Sequence, residues 1–214
     1  MNIFEMLHDE FKFTHRPIRL FEAFSGYGSQ QMALKRLGID VEIVGMSDWL
    51  ITANQVYNKL HANKNKVNCP YNEDELNEIL FAYGLSSDDK KPLTIEQIKR
   101  YTYEKKKQIY TWLIQNKNFG AIGSFDRLPK DIDICTWSFP CQDLSKAGKQ
   151  KGMVDGSKSN YGYVFLKTVE NTPHNERPKV LLMENVRDLF TKTFIKDWRN
   201  IQVILENLGY KSYT

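Results

Sequence analysis

The stretch Ile132-Asp133-Ile134-Cys135-Thr136-Trp137-Ser138-Phe139-Pro140-Cys141 reads as a short buried strand, expected over 133–137, that stops at a proline and hands the chain to a cysteine. Pro140 fixes φ and supplies no amide hydrogen, so a strand ladder has to end there. Cys141 is therefore expected at the carboxyl end of a strand. Open parallel α/β sheets hold their ligands along that edge, where a thiol is a better-placed nucleophile than one buried in mid-strand. An isolated cysteine is also compatible with an inert, packed side chain.

Towards the amino terminus the same architecture recurs. Residues 18–24 read as a strand, Ser25-Gly26-Tyr27-Gly28-Ser29 as a glycine turn, and 30–37 as a helix with Ala33, Leu34 and Leu37 on one face before Gly38. Glycines let a backbone turn sharply and approach a ligand, and the helix start beyond offers unpaired amides, although such turns also serve close packing alone. Residues 41–47 form a second expected strand that ends in Asp48-Trp49, about 20 residues past the glycine turn. In nucleoside-binding α/β folds an acid at that spacing accepts from ribose hydroxyls and a neighbouring aromatic stacks on adenine. Asp48 could equally cap the next helix, which carries Ile51, Val56 and Leu60.

Residues 1–17 look like an amphipathic lead-in closed by Pro17, and 61–119 like a polar helical insertion with helices over 73–83 and 94–115. Within it, Lys99-Arg100-Tyr101-Thr102-Tyr103-Glu104-Lys105-Lys106-Lys107 mixes bases with aromatics as nucleic-acid surfaces do, while a solvated face with Ile98, Ile109 and Trp112 inward explains it as well. Residues 120–124 are expected to close a third strand, ahead of the one over 133–137. After Cys141, Ser145-Lys146-Ala147-Gly148-Lys149-Gln150-Lys151-Gly152 has no apolar periodicity; it fits a lid able to meet phosphates, or an ordinary surface loop. A helix over 163–171, an apolar strand over 178–183 ending in Glu184-Asn185-Val186, and a helix over 194–208 follow, with a further strand starting at Gly209-Tyr210. An acid that ends a continuous apolar run is costly to bury without a task, and Glu184 falls on the same sheet edge as Cys141.

Composition sets the frame. With 214 residues, 41% hydrophobic and 13% aromatic, the chain can build one sizeable core. Thirty Lys and Arg against 26 Asp and Glu give +4, which permits a polyanionic partner without requiring one. Cys69, Cys135 and Cys141 form no paired motif, so neither a disulfide framework nor a metal site is expected, and a reducing cytoplasm fits best. No run approaches the roughly 18 apolar residues of a membrane span.

Taken in order, the FxGxG turn (Phe24, Gly26, Gly28), Asp48-Trp49, Phe139-Pro140-Cys141-Gln142 with Gly148-Lys149-Gln150-Lys151-Gly152, and Met183-Glu184-Asn185-Val186 resemble the DNA cytosine-5 methyltransferase family. The resemblance spans most of the chain outside 61–119. It implies a Rossmann-like α/β methyltransferase domain over 1–214, with a mostly parallel sheet and helices on both faces, incomplete at the carboxyl end. It also implies S-adenosyl-L-methionine as methyl donor and double-stranded DNA with a flipped cytosine as substrate. In that pattern Cys141 adds to the base, Glu184 stabilises it, and Pro140 and Asn185 order the pair. Phe24, Ser25, Gly26, Tyr27, Gly28, Asp48, Trp49, Ser124 and Pro140 fall at the donor, and Gln142, Ser145, Ala147, Lys149 and Lys151 at DNA, Ser145 on a target phosphate. The sequence departs from the pattern at Ser29, where a glycine is usual, and near Ser124, where an acid usually meets the adenine amine; Asp126 is the expected substitute. The family's Gln-x-Arg-x-Arg segment, target-recognition domain and closing asparagine motif do not follow Tyr210, so the resemblance implies the catalytic half of a split or truncated enzyme, with a second polypeptide supplying the rest. A non-catalytic remnant that binds donor or partner, and an RNA or small-molecule methyltransferase, are the alternatives.

Overall fold

The computed structural model describes residues 16–61, 65–141, 153 and 158–213, and the lead-in over 1–15 and most of the loop after Cys141 lie outside them. Four parallel strands form the sheet: β1 (Ile18–Ala23), β2 (Val41–Ser47), β3 (Ile134–Trp137) and β4 (Val180–Met183), in the order β2-β1-β3-β4. β1 pairs Leu20 to Ala23 with Ile134 to Trp137 of β3, and β3 pairs the same four residues with Val180 to Met183. The carboxyl ends of β1, β3 and β4 therefore lie level, which brings the turns after Ala23, Trp137 and Met183 to one edge.

Alternation along β1 sends successive side chains to opposite faces. Phe21 and Ala23 join a core with Cys135, Trp137, and residues of α6 (Tyr161–Asn171) and α7 (Ile195–Asn207), among them Phe165, Val169, Trp198 and Ile201. Glu22 points the other way, to α1 (Ser29–Arg36) and α2 (Ile51–His61), which cover the second face. This is an α/β fold with helices on both faces of a parallel sheet, the Rossmann-like arrangement. Within α1 the face bearing Ala33 and Leu37 is exposed and Gln31 is the buried residue, because the sheet is reached from the helix's first turn.

Between α2 and β3 the chain builds a helical lobe from α3 (Glu73–Ala82), α4 (Ile95–Lys99) and α5 (Tyr103–Gln115) around its own core of Leu80, Leu85, Leu93, Ile98, Ile109, Trp112 and Leu113, to which α2 contributes Ile51. The helix expected over 94–115 is broken: Thr94 caps α4 through a reciprocal box with Gln97, and Thr102 caps α5 by accepting from the Lys105 amide. The basic cluster on α5 is spent inside the lobe. Lys106 is buried with its ammonium 2.7 Å from Glu73, Lys105 lies over the Trp112 ring, and Lys107 lies over Tyr103 and reaches Glu104.

Two expected strands are absent among the described residues. At 120–124 the chain turns instead, with Gly120 and Gly123 at φ +88° and +98°, outside any ladder; only Asn118 bridges to Met46 of β2. At Gly209, φ +93° ends α7, and Tyr210 turns its hydroxyl onto the Pro178 carbonyl at 2.6 Å rather than starting a strand. β4 is consequently an edge strand, with Val180 and Leu182 about half exposed beside an open groove walled by Trp137, Phe190 and Trp198.

Among the described residues no helix is long and apolar enough to cross a membrane.

Candidate functional site

At the carboxyl ends of β1 and β2 lies a cleft of about 290 Å³, near the lower end of the size of small-molecule sites, roughly 300 Å³. Its walls are largely apolar: Phe24, Tyr27, Trp49, Leu50, Ala53, Ala121, Ile122, Pro140 and Tyr161. Gly26 and Ser47 complete it, with two carboxylates, Asp48 and Asp89.

The glycine turn owes its shape to three left-handed residues in succession of need. Phe24 at φ +56° swings the chain out of β1, Gly26 at +53° turns it, and Gly28 at +76° starts α1. A Cβ on Gly26 would meet no protein atom within 4 Å, so the turn leaves that volume open beside the cleft. A Cβ on Gly28 would lie 2.5 Å from the His61 ring and 2.8 Å from Tyr57, so Gly28 permits a close approach to α2 and does not line the cleft. Beneath the turn, buried Glu22 accepts from the Gln31 amide at 3.0 Å and the Tyr57 hydroxyl at 2.7 Å. Burial pushes its carboxyl above the usual range, against those two bonds. His61 Nε2 meets the Tyr27 carbonyl at 2.7 Å. Glu22, Tyr57 and His61 thus carry the turn from below; a lone acid in a strand and a Tyr four residues before a His gave no local sign of it.

Asp48 is the polar centre. One carboxylate oxygen accepts from the Gly26 amide and the other from the Leu50 amide, each at 2.8 Å. The helix-start role weighed from sequence is present, and the same carboxylate clamps the glycine turn. Burial raises its carboxyl to about 6, opposed by the Leu50 and Gly26 bonds and aided by the nearby charge of Asp89. Asn118 fixes the Asp48 backbone, accepting from its amide at 3.3 Å and donating to its carbonyl at 2.9 Å, and Asn54 donates to the same carbonyl at 3.1 Å.

Trp49 lies with its ring centroid 6.1 Å from that of Tyr161, and its indole N–H donates to Asp89 at 2.9 Å. Asp89 arrives from the helical lobe, whose segment is stitched to the site by Ser86 N–H to the Trp49 carbonyl at 2.8 Å and Ile51 N–H to the Ser86 carbonyl at 3.0 Å. Two sequence-selected residues stand apart from the cleft. Ser25 is buried with its hydroxyl towards Met46, and Ser124 turns its hydroxyl onto the Phe119 and Ala121 carbonyls, leaving Ala121 and Ile122 as wall. Asp126 is exposed and does not line the cleft either.

The nucleophile side adjoins it. Pro140 forms cleft wall, and half-buried Cys141 is the next residue; buried Cys135, one strand position from the core centre, has its thiol pushed well up by desolvation. Ser159 donates to the Pro140 carbonyl at 2.7 Å. From the neighbouring strand, Glu184 N–H donates to the Trp137 carbonyl at 3.3 Å and the Asn185 amide to the Phe139 carbonyl at 3.1 Å, so the two loops are tied together beside the cysteine, with the Glu184 side chain exposed. Gln142, Ser145, Ala147, Lys149 and Lys151 lie outside the described residues.

Residues 81–214 match the family model of C-5 cytosine-specific DNA methylases. Type II methyltransferase M2.ScrFI of Lactococcus lactis subsp. cremoris is 38% identical over 92% of this chain and 54% of its own length. Orphan methyltransferase M.SssI of Spiroplasma monobiae is 35% identical over 92% of this chain and 53% of its own. Among solved structures, the S. pombe Dnmt2 methyltransferase aligns at 19% identity with a TM-score of 0.46, over 92% of this chain and 42% of that one. The chain spans about half the length of the curated relatives it matches.

Proposed function

Because this chain belongs to the C-5 cytosine-specific DNA methylase family, we propose that it forms the donor-binding and nucleophile-bearing part of an enzyme that methylates C5 of cytosine in DNA. The observation that carries the reading is the adjacency of cleft and cysteine: Pro140 is wall, Cys141 is next in the chain, and the loop bearing Glu184 is hydrogen-bonded to the same segment. S-adenosyl-L-methionine fits the residues of the cleft. Asp48 offers acceptors for ribose hydroxyls, Trp49 and Tyr161 offer aromatic faces, and Gly26 leaves open space where any other residue would project a side chain. Bound there, it would supply a methyl group on a sulfonium, an electrophile that needs no metal.

The chain's own residues then face one chemical problem, the poor nucleophilicity of cytosine C5. Cys141, once deprotonated, adds its sulfur to C6; the C5–C6 π electrons move to C5, which becomes enamine-like and takes the methyl. Glu184 hydrogen-bonds at ring N3 and the exocyclic amine, an interaction that strengthens as charge develops on the base. Loss of the C5 proton returns its electron pair to the ring and expels the Cys141 sulfur. Asn185 is a positioning residue that holds the Phe139 carbonyl and hence the turn before Cys141. Flipping the base out of the duplex costs a few kcal/mol, and the lysine-bearing loop after Cys141 offers phosphate contacts that offset it.

DNA containing 5-fluorocytosine tests this directly, because fluorine at C5 cannot leave as a proton does and the sulfur adduct persists. The expected result is a denaturation-resistant protein–DNA band with the wild type and S-adenosyl-L-methionine, and none with Cys141→Ser. Equal trapping by both proteins would remove Cys141 from the chemistry.

A further inference from the structure

Asp89 belongs to none of the motifs that led to the cleft, yet it stands in its wall. It sits in the turn between α3 and α4, at φ +60°, a left-handed conformation that aspartate tolerates better than most residues. Two backbone bonds between residues 49–51 and Ser86 hold that turn against the site, and the Trp49 indole N–H fixes the Asp89 carboxylate at 2.9 Å. A carboxylate is acceptor-only and offers about four lone-pair positions, so the indole bond leaves acceptor capacity at the edge of the Trp49 ring. The two other candidate acids for this end of the cleft are excluded by placement: Asp126 is exposed outside it, and Asp48 is committed to the Gly26 and Leu50 amides on its far side. The remaining wall here, Leu50, Ala53, Ala121 and Ile122, is apolar and offers no competing side-chain acceptor.

A flat heterocycle stacked on Trp49 would present its ring edge to whatever is bonded at the rim of the indole. We infer that Asp89 reads that edge, accepting a hydrogen bond from the exocyclic amine of adenine, so that the helical lobe supplies the base specificity of the donor site. The assignment rests on the donor-site reading above and goes beyond it in naming a specificity residue outside the shared motifs. An acceptor-only group rewards an amine and penalises a carbonyl oxygen at the same ring position, since the oxygen would face a carboxylate with no hydrogen between them.

The test compares S-adenosylhomocysteine with S-inosylhomocysteine, in which a carbonyl oxygen replaces the amine, by calorimetry on the protein. Wild type is expected to bind the adenosyl compound roughly 10- to 100-fold more tightly, the range for a hydrogen bond to a charged acceptor. Asp89→Asn keeps a carbonyl oxygen for the indole and turns an amide NH₂ to the ligand, so it should lose that preference or reverse it. Retained thermal stability and unchanged tryptophan fluorescence in Asp89→Asn would show that Trp49 stays in place. Equal weakening of both ligands in the variant, or no discrimination by the wild type, overturns the assignment and leaves Asp89 as a support for Trp49. Failure of the wild type to bind either compound overturns the donor site itself, and this assignment with it.

Discussion

Asp48 holds two backbone amides and faces the cleft, so its ionisation links folding to ligand affinity. Its carboxyl stands at about 6, above the ordinary value near 3.9. Between those values the folded protein keeps a proton that the unfolded chain has released, so this group's contribution to stability falls as pH rises through roughly 4 to 6. Ligand affinity runs the opposite way, because the ionised form is the stronger acceptor for ribose hydroxyls. We expect S-adenosylhomocysteine binding, measured by calorimetry, to weaken as pH drops below about 6, and the slope to vanish in Asp48→Asn. Asp48→Ala should weaken binding at least about 10-fold and also cost about 1–3 kcal/mol, since the Gly26 and Leu50 amides lose their acceptors. Unaltered affinity with lost stability would leave Asp48 a structural clamp only. Cys141, Glu184 and Asp48 could be singled out in the sequence because each ends an apolar run at a strand's carboxyl end. Asp89 could not: in Ser86-Ser87-Asp88-Asp89-Lys90 it looks like any solvated turn, and its place beside Trp49, 40 residues away, is a tertiary fact.

At the level of elements, the glycine turn separates packing from ligand space within three residues. Gly28→Ala would force a Cβ into His61 and Tyr57 at φ +76°, whereas Gly26→Ala carries the φ penalty, about 1–2 kcal/mol, but projects into open volume. Denaturant unfolding should show Gly28→Ala as the more destabilised of the two. Calorimetry should show Gly26→Ala losing affinity out of proportion to its stability loss. The reverse order would mean that the turn is not the cleft's floor. Strand-turn-helix units with clear apolar runs were legible in sequence, from β1 through α2 and again from β3 to α7. The failures have identifiable causes. Thr94 with Gln97, and then Thr102, carried the signal for two helices, overridden by a continuous helical periodicity. Residues 120–124 look strand-like locally, yet the Ala121 amide bonds to the Tyr83 carbonyl and two positive-φ glycines follow that demand.

For the whole molecule, the amino end of the sheet is gathered by one buried carboxylate. Asp133 takes both guanidinium nitrogens of Arg16 at 2.6 and 2.8 Å, the Lys179 ammonium at 2.8 Å and the Arg19 amide at 3.0 Å, joining the approaches to β1, β3 and β4. The Arg16 bonds chiefly, with Lys179 and the Arg19 amide, hold its carboxyl well below the usual range against the cost of burial. Its stabilising contribution is complete above pH 4 or so and is lost as pH falls below it, the opposite sense to Asp48. Arg16 and Lys179 reach solvent, so removing the acid strands no buried cation; Asp133→Asn should cost about 1–3 kcal/mol near neutral pH and flatten the acid limb of the melting curve. A variant as acid-labile as the wild type would show that the clasp contributes nothing.

The strand order has a consequence in time. β1 lies at the centre of the sheet, yet its partner β3 is encoded about 110 residues later. At roughly 5–20 residues per second, a ribosome needs on the order of 10 s to supply it. Throughout that interval a nascent chain that already pairs β1 with β2 presents β1's other row of amides and carbonyls to its surroundings. The helical lobe made in the meantime has its own core and covers neither. This protein meets its greatest hazard of pairing with the wrong chain during synthesis, and slow codons between β2 and β3 would lengthen it.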